Sequence, residues 1–299
     1  MSKKQHVPGS WDFDRWLVKM VRKSWQTFYN LEKVLLRRIF IKDFQPRKDD
    51  VCVVTYMRSG TTKVQMMLYQ LMTEGDMNFR HFSNVSPLLE DAIFSGKKMD
   101  DMPSPRIFKT HGDYKYFPKK NAGRIIYVVR NGMDVASSMY HYYKDYNMPD
   151  LEWDRFLDKT FMDRISWFRH VEAWLENKHG FNVCFIKYES ANEYPRETIE
   201  KLAKFLGIPL TEELIARVTE RCSFAFMKQH QAKFGRPQVE ANKPDTQFIR
   251  RGESDKGQLE FNATQRKKFS ALYDKHLGRF NLGYNFSVTP EKVNEPSAV

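Results

Sequence analysis

Residues 51–63 read Val51-Cys-Val-Val-Thr-Tyr-Met-Arg-Ser-Gly-Thr-Thr-Lys63, an apolar run that ends in a short loop of small and hydroxyl residues. The apolar run is typical of a buried strand, and a helical pattern of apolar residues follows the loop at once. A helix that begins at such a loop presents unpaired N–H groups and a partial positive charge, and glycine lets the backbone approach a ligand. The stretch therefore predicts a phosphate or sulfate site at residues 58–63.

Strand and helix patterns alternate along the rest of the chain. Further strands are predicted at residues 106–111, 123–129 and 182–188. Helices are predicted directly after the first loop and at residues 133–143, 151–179, 195–206, 211–228 and 263–277. This alternation is typical of an α/β fold, and we expect a P-loop-like central parallel sheet flanked by helices.

The domain organisation follows from what interrupts these patterns. The chain has no internal repeat, low-complexity stretch or clear linker, so one domain is expected at residues 44–288. Residues 1–43 form a basic amphipathic helical segment, which we expect to pack on the domain rather than to lie on a membrane. Residues 289–299 are expected to form a disordered tail.

Cationic side chains follow the predicted strands at the point where each strand ends. Ligands of such sheets bind at the carboxyl ends of the strands, and these ends share one edge of the sheet. We therefore expect this edge to gather Arg58, Lys109, His111, Arg130 and Lys187.

The overall charge points to an anionic partner. The chain of 299 residues carries a formal net charge of +12, which suits nucleic acid, an anionic membrane surface or a polyanionic small ligand. The basic residues are dispersed, and no helix-turn-helix, zinc finger or RNA-binding aromatic motif is present. We therefore expect a polyanionic cofactor and no nucleic-acid partner.

The cysteines and the N-terminus bear on the compartment. Cys52 and Cys184 lie within predicted strands, and with Cys222 their spacing fits no metal site, which favours buried, reduced thiols. The N-terminus lacks the apolar region of a signal peptide, and no apolar run approaches a membrane span. These features predict a cytoplasmic protein.

Five segments resemble, in the same order, those of the cytosolic-type sulfotransferases, which use 3′-phosphoadenosine 5′-phosphosulfate (PAPS). The resemblance covers about residues 44–285. Its five segments are Thr55–Thr62, Pro105–His111, Tyr127–Ser138, Cys222–Lys228 and Phe248–Gly252. The resemblance implies transfer of a sulfuryl group from PAPS to a hydroxyl or amine of a small-molecule acceptor. The product would be 3′-phosphoadenosine 5′-phosphate (PAP), and no metal would be required.

The resemblance also assigns roles to catalytic residues. Arg58 occupies the position of the family's loop lysine and would bind the 5′-phosphosulfate and the bridging oxygen. His111 would take the proton from the acceptor, a task that suits a side chain whose pKa lies near neutrality. Lys109 would add positive charge at the sulfuryl group.

The remaining implied contacts surround the nucleotide. The 5′ side would be held by the loop, and the 3′-phosphate by arginine forks and hydroxyl groups. Tyr188 would bond the adenine side, and Phe224 would stack on the base. The cofactor-binding residues implied are Arg58, Ser59, Gly60, Thr61, Thr62, Lys63, Arg130, Ser138, Tyr188, Cys222, Phe224, Phe248, Arg250, Arg251 and Gly252.

The sequence departs from the family pattern at several of these positions. Arg58 replaces a lysine, Lys63 replaces the tryptophan that helps to sandwich adenine, and Cys222 replaces a threonine. The segment Gly112–Pro118 replaces the usual Leu-Pro, and Asp113 with its aromatic neighbours suggests a polar or cationic acceptor. The C-terminal dimerisation pattern of the animal enzymes is not evident near 257–267, so the oligomeric state stays open.

Two other functions compete with this interpretation. A nucleotide-dependent small-molecule kinase shares the strand–loop–helix phosphate site, but the loop lacks the first glycine of a Walker sequence and the strand at 123–129 ends in Arg130 rather than aspartate. A non-catalytic anion- or membrane-binding module would also account for the charge of +12.

Overall fold

The computed structural model describes residues 45–94, 99–120, 122–146, 148–164, 166–235, 249, 257–284 and 286. A parallel four-stranded sheet lies at its centre, with the strand order β2-β1-β3-β4. The strands are β1 (Val51–Thr55), β2 (Ile107–Thr110), β3 (Arg124–Val129) and β4 (Val183–Lys187). The predicted α/β fold with a central parallel sheet is confirmed.

Eleven α-helical segments are present among the described residues. They are α1 (Thr61–Met72), α2 (Phe82–Val85), α3 (Leu89–Phe94), α4 (Gly132–Tyr146), α5 (Trp153–Arg155), α6 (Ser166–Glu176), α7 (Tyr188–Glu193), α8 (Pro195–Leu206), α9 (Glu212–Arg221), α10 (Phe224–Gln229) and α11 (Ala263–Leu277). Short 3-10 segments occur at Met99–Asp101, Tyr114–Tyr116, Gln231–Lys233, Gly257–Glu260 and Gly278–Phe280.

Side chains alternate between the two faces of the sheet and build two cores. Val51 and Val53 pack with α1, α8 and α9, whereas Cys52 and Val54 pack with α4, α6 and α11. All four side chains are buried, as expected of parallel strands covered on both faces. The three cysteines are free and buried, which agrees with the prediction from their positions.

The register brings the carboxyl ends of all four strands to one edge. Val54 pairs with Thr110, Thr55 pairs with Val128, and Val129 pairs with Lys187. At the opposite edge the buried Arg106 guanidinium contacts the buried Asp50 carboxylate at 2.8 and 2.5 Å. Removal of one partner of a buried ion pair lowers the free energy of unfolding by about 3–5 kcal/mol. The pair therefore stabilises the edge of the sheet opposite the loop.

Two predicted helices are interrupted. The segment 151–179 contains a π-helix at Phe156–Met162, whose buried residues Phe156, Leu157, Phe161 and Met162 recur every five residues and so share one side of the wider turn. The segment 211–228 breaks at Ser223, where the hydroxyl accepts a hydrogen bond from the Phe226 N–H at 3.2 Å and starts α10.

Some predictions concern residues outside the described part. The helical segment at 1–43 and the tail at 289–299 belong to this group. Among the described residues, no helix combines the length and apolarity needed to cross a membrane.

Candidate active site

The loop between β1 and α1 opens the N-terminus of α1 to a ligand. Gly60 precedes the helix in the left-handed conformation (φ 85°), and no side chain of a described residue caps the helix. A Cβ atom at Gly60 would lie 2.0 Å from the Tyr188 ring, so the close approach as well as the backbone angle requires glycine. The first N–H groups of α1 are thus available to an anion, as predicted from the sequence.

Arg58 connects this loop to the next strand and helix. Its Nε donates to Ser138 Oγ at 3.1 Å, and its guanidinium lies 5.0 Å from the centre of the Tyr142 ring. Its carbonyl accepts a hydrogen bond from Arg130 Nη1 at 3.1 Å. The structure therefore brings together three residues that the sequence assigned to one ligand: Arg58, Arg130 and Ser138.

The turn after β3 is held by side chains from α4 and α7. The Arg130 guanidinium stacks on the Tyr188 ring at 4.6 Å and lies 3.6 Å from the Asp134 carboxylate. Glu189 accepts a hydrogen bond from the Asn131 N–H at 2.8 Å, and burial raises the pKa of its carboxyl group. The Arg130 cation thus lies at the sheet edge, and the turn that carries it is held by the hydrogen bond between Asn131 and Glu189.

Asp134 also contacts the 3-10 segment Gly257–Glu260. Its carboxylate accepts a 2.7 Å hydrogen bond from the N–H of Gly257, which is the first described residue after 250–256. A Cβ atom at Gly257 would lie 2.5 Å from the Met133 carbonyl, so the two segments are in close contact. The predicted site residues Phe248, Arg250, Arg251 and Gly252 lie outside the described residues.

His111 is held against the end of β1. Its Nδ1 lies 3.0 Å from the Thr55 carbonyl oxygen and 3.1 Å from Thr55 Oγ1. Because a carbonyl oxygen can only accept a hydrogen bond, this contact assigns the ring proton to Nδ1 and the lone pair to Nε2. Thr55 Oγ1 is in turn 2.7 Å from Thr61 Oγ1, which places the histidine beside the first residue of α1.

Glu90 of α3 supports the same histidine from its backbone. Its Oε1 accepts hydrogen bonds from Thr110 Oγ1 at 2.7 Å and from the His111 N–H at 3.3 Å. Lys109, half-buried in β2, pairs with Val53 and therefore points to the α1 face, the face on which Thr55 also lies. The three predicted catalytic residues, His111, Arg58 and Lys109, thus stand at or next to the carboxyl ends of β1 and β2.

The side predicted for adenine is more polar and more open. Lys63 donates to Asn192 Oδ1 at 2.5 Å, and burial lowers the pKa of its ammonium group. Phe224 is 38% exposed, with Lys228 Nζ at 5.5 Å from its ring, whereas Cys222 is buried at the end of α9. The tryptophan position of the family is thus occupied by a lysine that is tethered to a neighbouring side chain.

Two of the aromatic neighbours of Asp113 are part of the core. Tyr114 and Phe117 are buried and pack against Trp174 at 5.1 and 5.4 Å, so these two rings are not exposed to an acceptor. Asp113 is exposed. Tyr56 bonds to Ser166 Oγ at 2.7 Å, and burial raises the pKa of its hydroxyl group to about 12.

Four supporting residues were not predicted as part of the site: Thr55, Glu90, Glu189 and Asn192. Thr55 and Glu189 stand at strand ends, and Thr55 also begins the first of the family-like segments. Glu90 and Asn192 lie on helices 20 or more residues from their partners in the sequence, so no local pattern indicates them. Among the described residues, no group of three His, Cys, Asp or Glu side chains could hold a metal ion.

The chain is similar to known proteins over most of its length. The family model described as sulfotransferase domain matches residues 48–281. Sulfotransferase 1B1 of Canis lupus familiaris is 30% identical over 83% of this chain and 90% of its own length. Sulfotransferase 1A1 of the same species is 32% identical over 82% of this chain and 88% of its own length.

A solved structure is similar in fold as well as in sequence. Mouse sulfotransferase SULT7A1, crystallised in complex with PAP, is 27% identical with a TM-score of 0.66, over 83% of this chain and 91% of that chain. This similarity, together with the central parallel sheet and its flanking helices, confirms the predicted sulfotransferase fold. On the family match and the identity to these relatives, the chain belongs to the sulfotransferase family.

Proposed function

We propose that this sulfotransferase moves a sulfuryl group from PAPS to a hydroxyl or amine of a small-molecule acceptor, with His111 as the general base. The observation that carries the proposal is the contact of His111 Nδ1 with the Thr55 carbonyl at 3.0 Å, beside the start of α1. This contact leaves Nε2 with the lone pair that a base requires. The PAP complex of the related mouse enzyme supports the choice of donor.

The residues of the loop fit the phosphosulfate end of PAPS. The Gly60 backbone lies against the Tyr188 ring with no room for a Cβ atom, and α1 begins there without a side-chain cap from a described residue. We assign Ser59, Gly60, Thr61 and Thr62 to the 5′-phosphosulfate, and Lys63, the residue that follows, to the adenine side. PAPS supplies an activated sulfuryl group, and the chain has to bind it and orient the acceptor.

The 3′-phosphate and the base are assigned to the neighbouring elements. Arg130 and Ser138 meet at Arg58 and present a cation and a hydroxyl group to the 3′-phosphate. Tyr188, Cys222 and Phe224 are assigned to the adenine side. We assign Phe248, Arg250, Arg251 and Gly252 to the same nucleotide on the resemblance alone.

Two steps of the reaction are assigned to named side chains. His111 Nε2 accepts the proton of the acceptor, and the Thr55 carbonyl then bonds the charged ring through Nδ1–H. Arg58 and Lys109 stabilise the negative charge that grows on the leaving oxygen and the sulfuryl group. The hydrogen bond to Ser138 holds the Arg58 guanidinium group in place while this charge develops.

We extend the proposal to organisation and compartment. The catalytic domain is assigned to residues 44–288, which include the family match at 48–281. The free, buried state of the three cysteines supports a reducing, cytoplasmic compartment.

Transfer of label from radiolabelled PAPS to a panel of phenols, alcohols and amines tests the proposal. The wild type is expected to label at least one class without added magnesium. His111→Ala is expected to lower turnover by about 10²–10⁴-fold, because it removes the base, while PAP binding is retained. His179→Ala is the matched control, since that histidine is exposed and lies outside the site.

Three outcomes would contradict the proposal. Retained turnover in His111→Ala removes the histidine from its role. Failure of the wild type both to bind PAP and to label any acceptor removes the activity. Strict dependence on ATP and magnesium would support the kinase instead.

A further inference from the structure

A second histidine lies behind His111 and is almost fully enclosed. His170 of α6 is 3% exposed. Its Nε2 lies 3.2 Å from the Gly112 carbonyl oxygen, and its Nδ1 lies 3.0 Å from the Tyr127 hydroxyl oxygen. Because the carbonyl can only accept, Nε2 carries the ring proton, and Tyr127 donates its hydroxyl proton to Nδ1. Both ring nitrogens are therefore used, and each by a defined partner.

The ring is neutral at physiological pH. Burial lowers the pKa of His170 to about 4, although the nearby Asp113 carboxylate acts in the opposite direction. A neutral ring can hold the donor–acceptor pattern described above, whereas a charged ring would present a second N–H to the Tyr127 oxygen and reverse that bond.

The bonded carbonyl belongs to the residue directly after His111. Gly112 also donates its N–H to Thr110 Oγ1 at 2.9 Å, and Trp174 Nε1 lies 3.4 Å from the same carbonyl. On the other side, the His111 N–H is bonded to Glu90. The backbone is therefore held both before and after the histidine that we assign as the base.

We propose that His170 is a positioning residue for His111: it transmits the fixed position of Tyr127 in β3 to the Gly112 carbonyl, and so sets the direction in which the His111 ring leaves β2. The inference rests on the proposed function of His111. Tyr127 stands in a central strand and is fully buried, so it is a rigid starting point for this chain of hydrogen bonds. A ring of similar shape without nitrogen atoms would leave the Tyr127 hydroxyl without its acceptor. It would also leave the Gly112 carbonyl without the hydrogen bond from Nε2.

Two substitutions at position 170 separate positioning from packing. His170→Gln places an amide N–H near the position of Nε2 and keeps a donor for Gly112, whereas His170→Phe keeps the ring shape and removes the donor. We expect His170→Phe to lower kcat by about 30-fold with an unchanged Kd for PAP, because small displacements of a reacting group cost up to about 10²-fold. His170→Gln is expected to stay within about threefold of the wild type, since the bond to Gly112 is kept.

A pH profile adds a readout that a packing defect alone does not move. The acid limb of kcat/KM reports the base in the free enzyme. In His170→Phe this limb is expected to shift, since the contact between His111 and the Thr55 carbonyl is loosened. Tyr127→Phe, which removes a single oxygen, is expected to lower kcat about threefold to tenfold, because Nδ1 loses its donor. It serves as the test if His170→Phe does not fold.

The outcomes separate this inference from the proposed function. Equal activity of His170→Phe, Tyr127→Phe and the wild type would overturn the positioning role. Equal impairment of His170→Gln and His170→Phe, with an unmoved acid limb, would also overturn it and indicate packing alone. If His111→Ala retains turnover, the proposed base itself fails, whatever the variants at position 170 show.

Discussion

The two ends of the proposed nucleotide site are built by different means. At the sulfuryl end, His111 is bonded to Thr55 and supported by buried groups before any ligand arrives. At the base end, Lys63 is tethered to Asn192 and Phe224 is 38% exposed. The end to which we assign the chemistry is thus preorganised by the chain, whereas the base end presents a partly exposed ring. We therefore expect substitutions at the first end to change turnover and substitutions at the second to change affinity.

The strongest test of this comparison is at Arg58. Arg58→Met removes the cation that we assign to the leaving oxygen, and kcat is expected to fall by about 10³-fold. Arg58→Lys keeps the charge but loses the fork, and a loss of about tenfold is expected. Both variants keep an unbranched side chain at the same backbone angle, so steady-state kinetics compare an uncharged with a charged side chain at this position. Similar activity of the two variants would show that the cation at this end is dispensable.

The second test concerns the pH dependence of stability at the sulfuryl end. The pKa of His170 is about 4 in the folded chain, and about 6.5 is usual in an unfolded chain. Between these values the unfolded chain binds a proton that the folded chain does not, so stability falls as the pH is lowered. For this group the loss between pH 7 and pH 5 is about 2 kcal/mol.

Urea unfolding of the wild type and of His170→Gln at both pH values measures this loss. The free energy of unfolding is expected to fall more steeply in the wild type, because only the wild type carries the buried ring. Equal pH dependence of the two proteins would mean that the ring is not held neutral, and the preorganisation of this end would then be smaller than described.

A third test moves to the turn that presents Arg130. Glu189→Gln retains size and one acceptor oxygen but loses the charge that faces the Asn131 N–H. PAP binding is expected to weaken about tenfold, because hydrogen bonds to charged groups contribute about 1.5–3 kcal/mol and part of the bond is kept. Binding of adenosine 5′-monophosphate, which lacks the 3′-phosphate, serves as the control by isothermal titration. An equal loss for both ligands would argue against a role specific to the 3′-phosphate.

The smallest effect is expected at the base end. Lys63→Trp offers a ring to the base, and PAP is expected to bind about fivefold tighter, since stacking on a base contributes at least about 1 kcal/mol. The value of kcat should not change, because the sulfuryl end is not touched. Lys204→Trp, at an exposed position of α8, controls for the addition of a ring to the surface. A large change in kcat would show that the two ends are coupled and would break the comparison.

Much of the fold follows from local patterns. The helices α8 and α11 begin and end at the predicted residues, and Gly207 closes α8 in the left-handed conformation, as a C-terminal glycine predicts. The four strands were found within two residues of their predicted limits. The π-helix at Phe156–Met162 is not predicted, because the apolar pattern of 151–179 indicates a helix without distinguishing its wider turn.

The candidate site also contains contacts that the sequence indicates and contacts that it does not. Arg58, Arg130, Ser138 and Tyr188 lie together, because parallel strands bring their carboxyl ends, and the helix that follows β3, to one edge. Contacts such as Lys63 with Asn192 join residues 129 positions apart, and the sequence gives no sign of them. They depend on how α1 and α7 pack, which a local pattern does not record.

The backbone angle of Arg58 limits which variants can be explored at this position. Its φ of 66° lies in a region that β-branched side chains avoid. In a saturation library at residue 58, some variants will therefore lose activity because of backbone strain and not because the charge is lost. Valine, isoleucine and threonine belong to this group. Variants of residue 58 that keep the backbone angle are therefore expected to carry lysine, arginine, asparagine or glycine. An exchange between lysine and arginine keeps both the backbone angle and the charge.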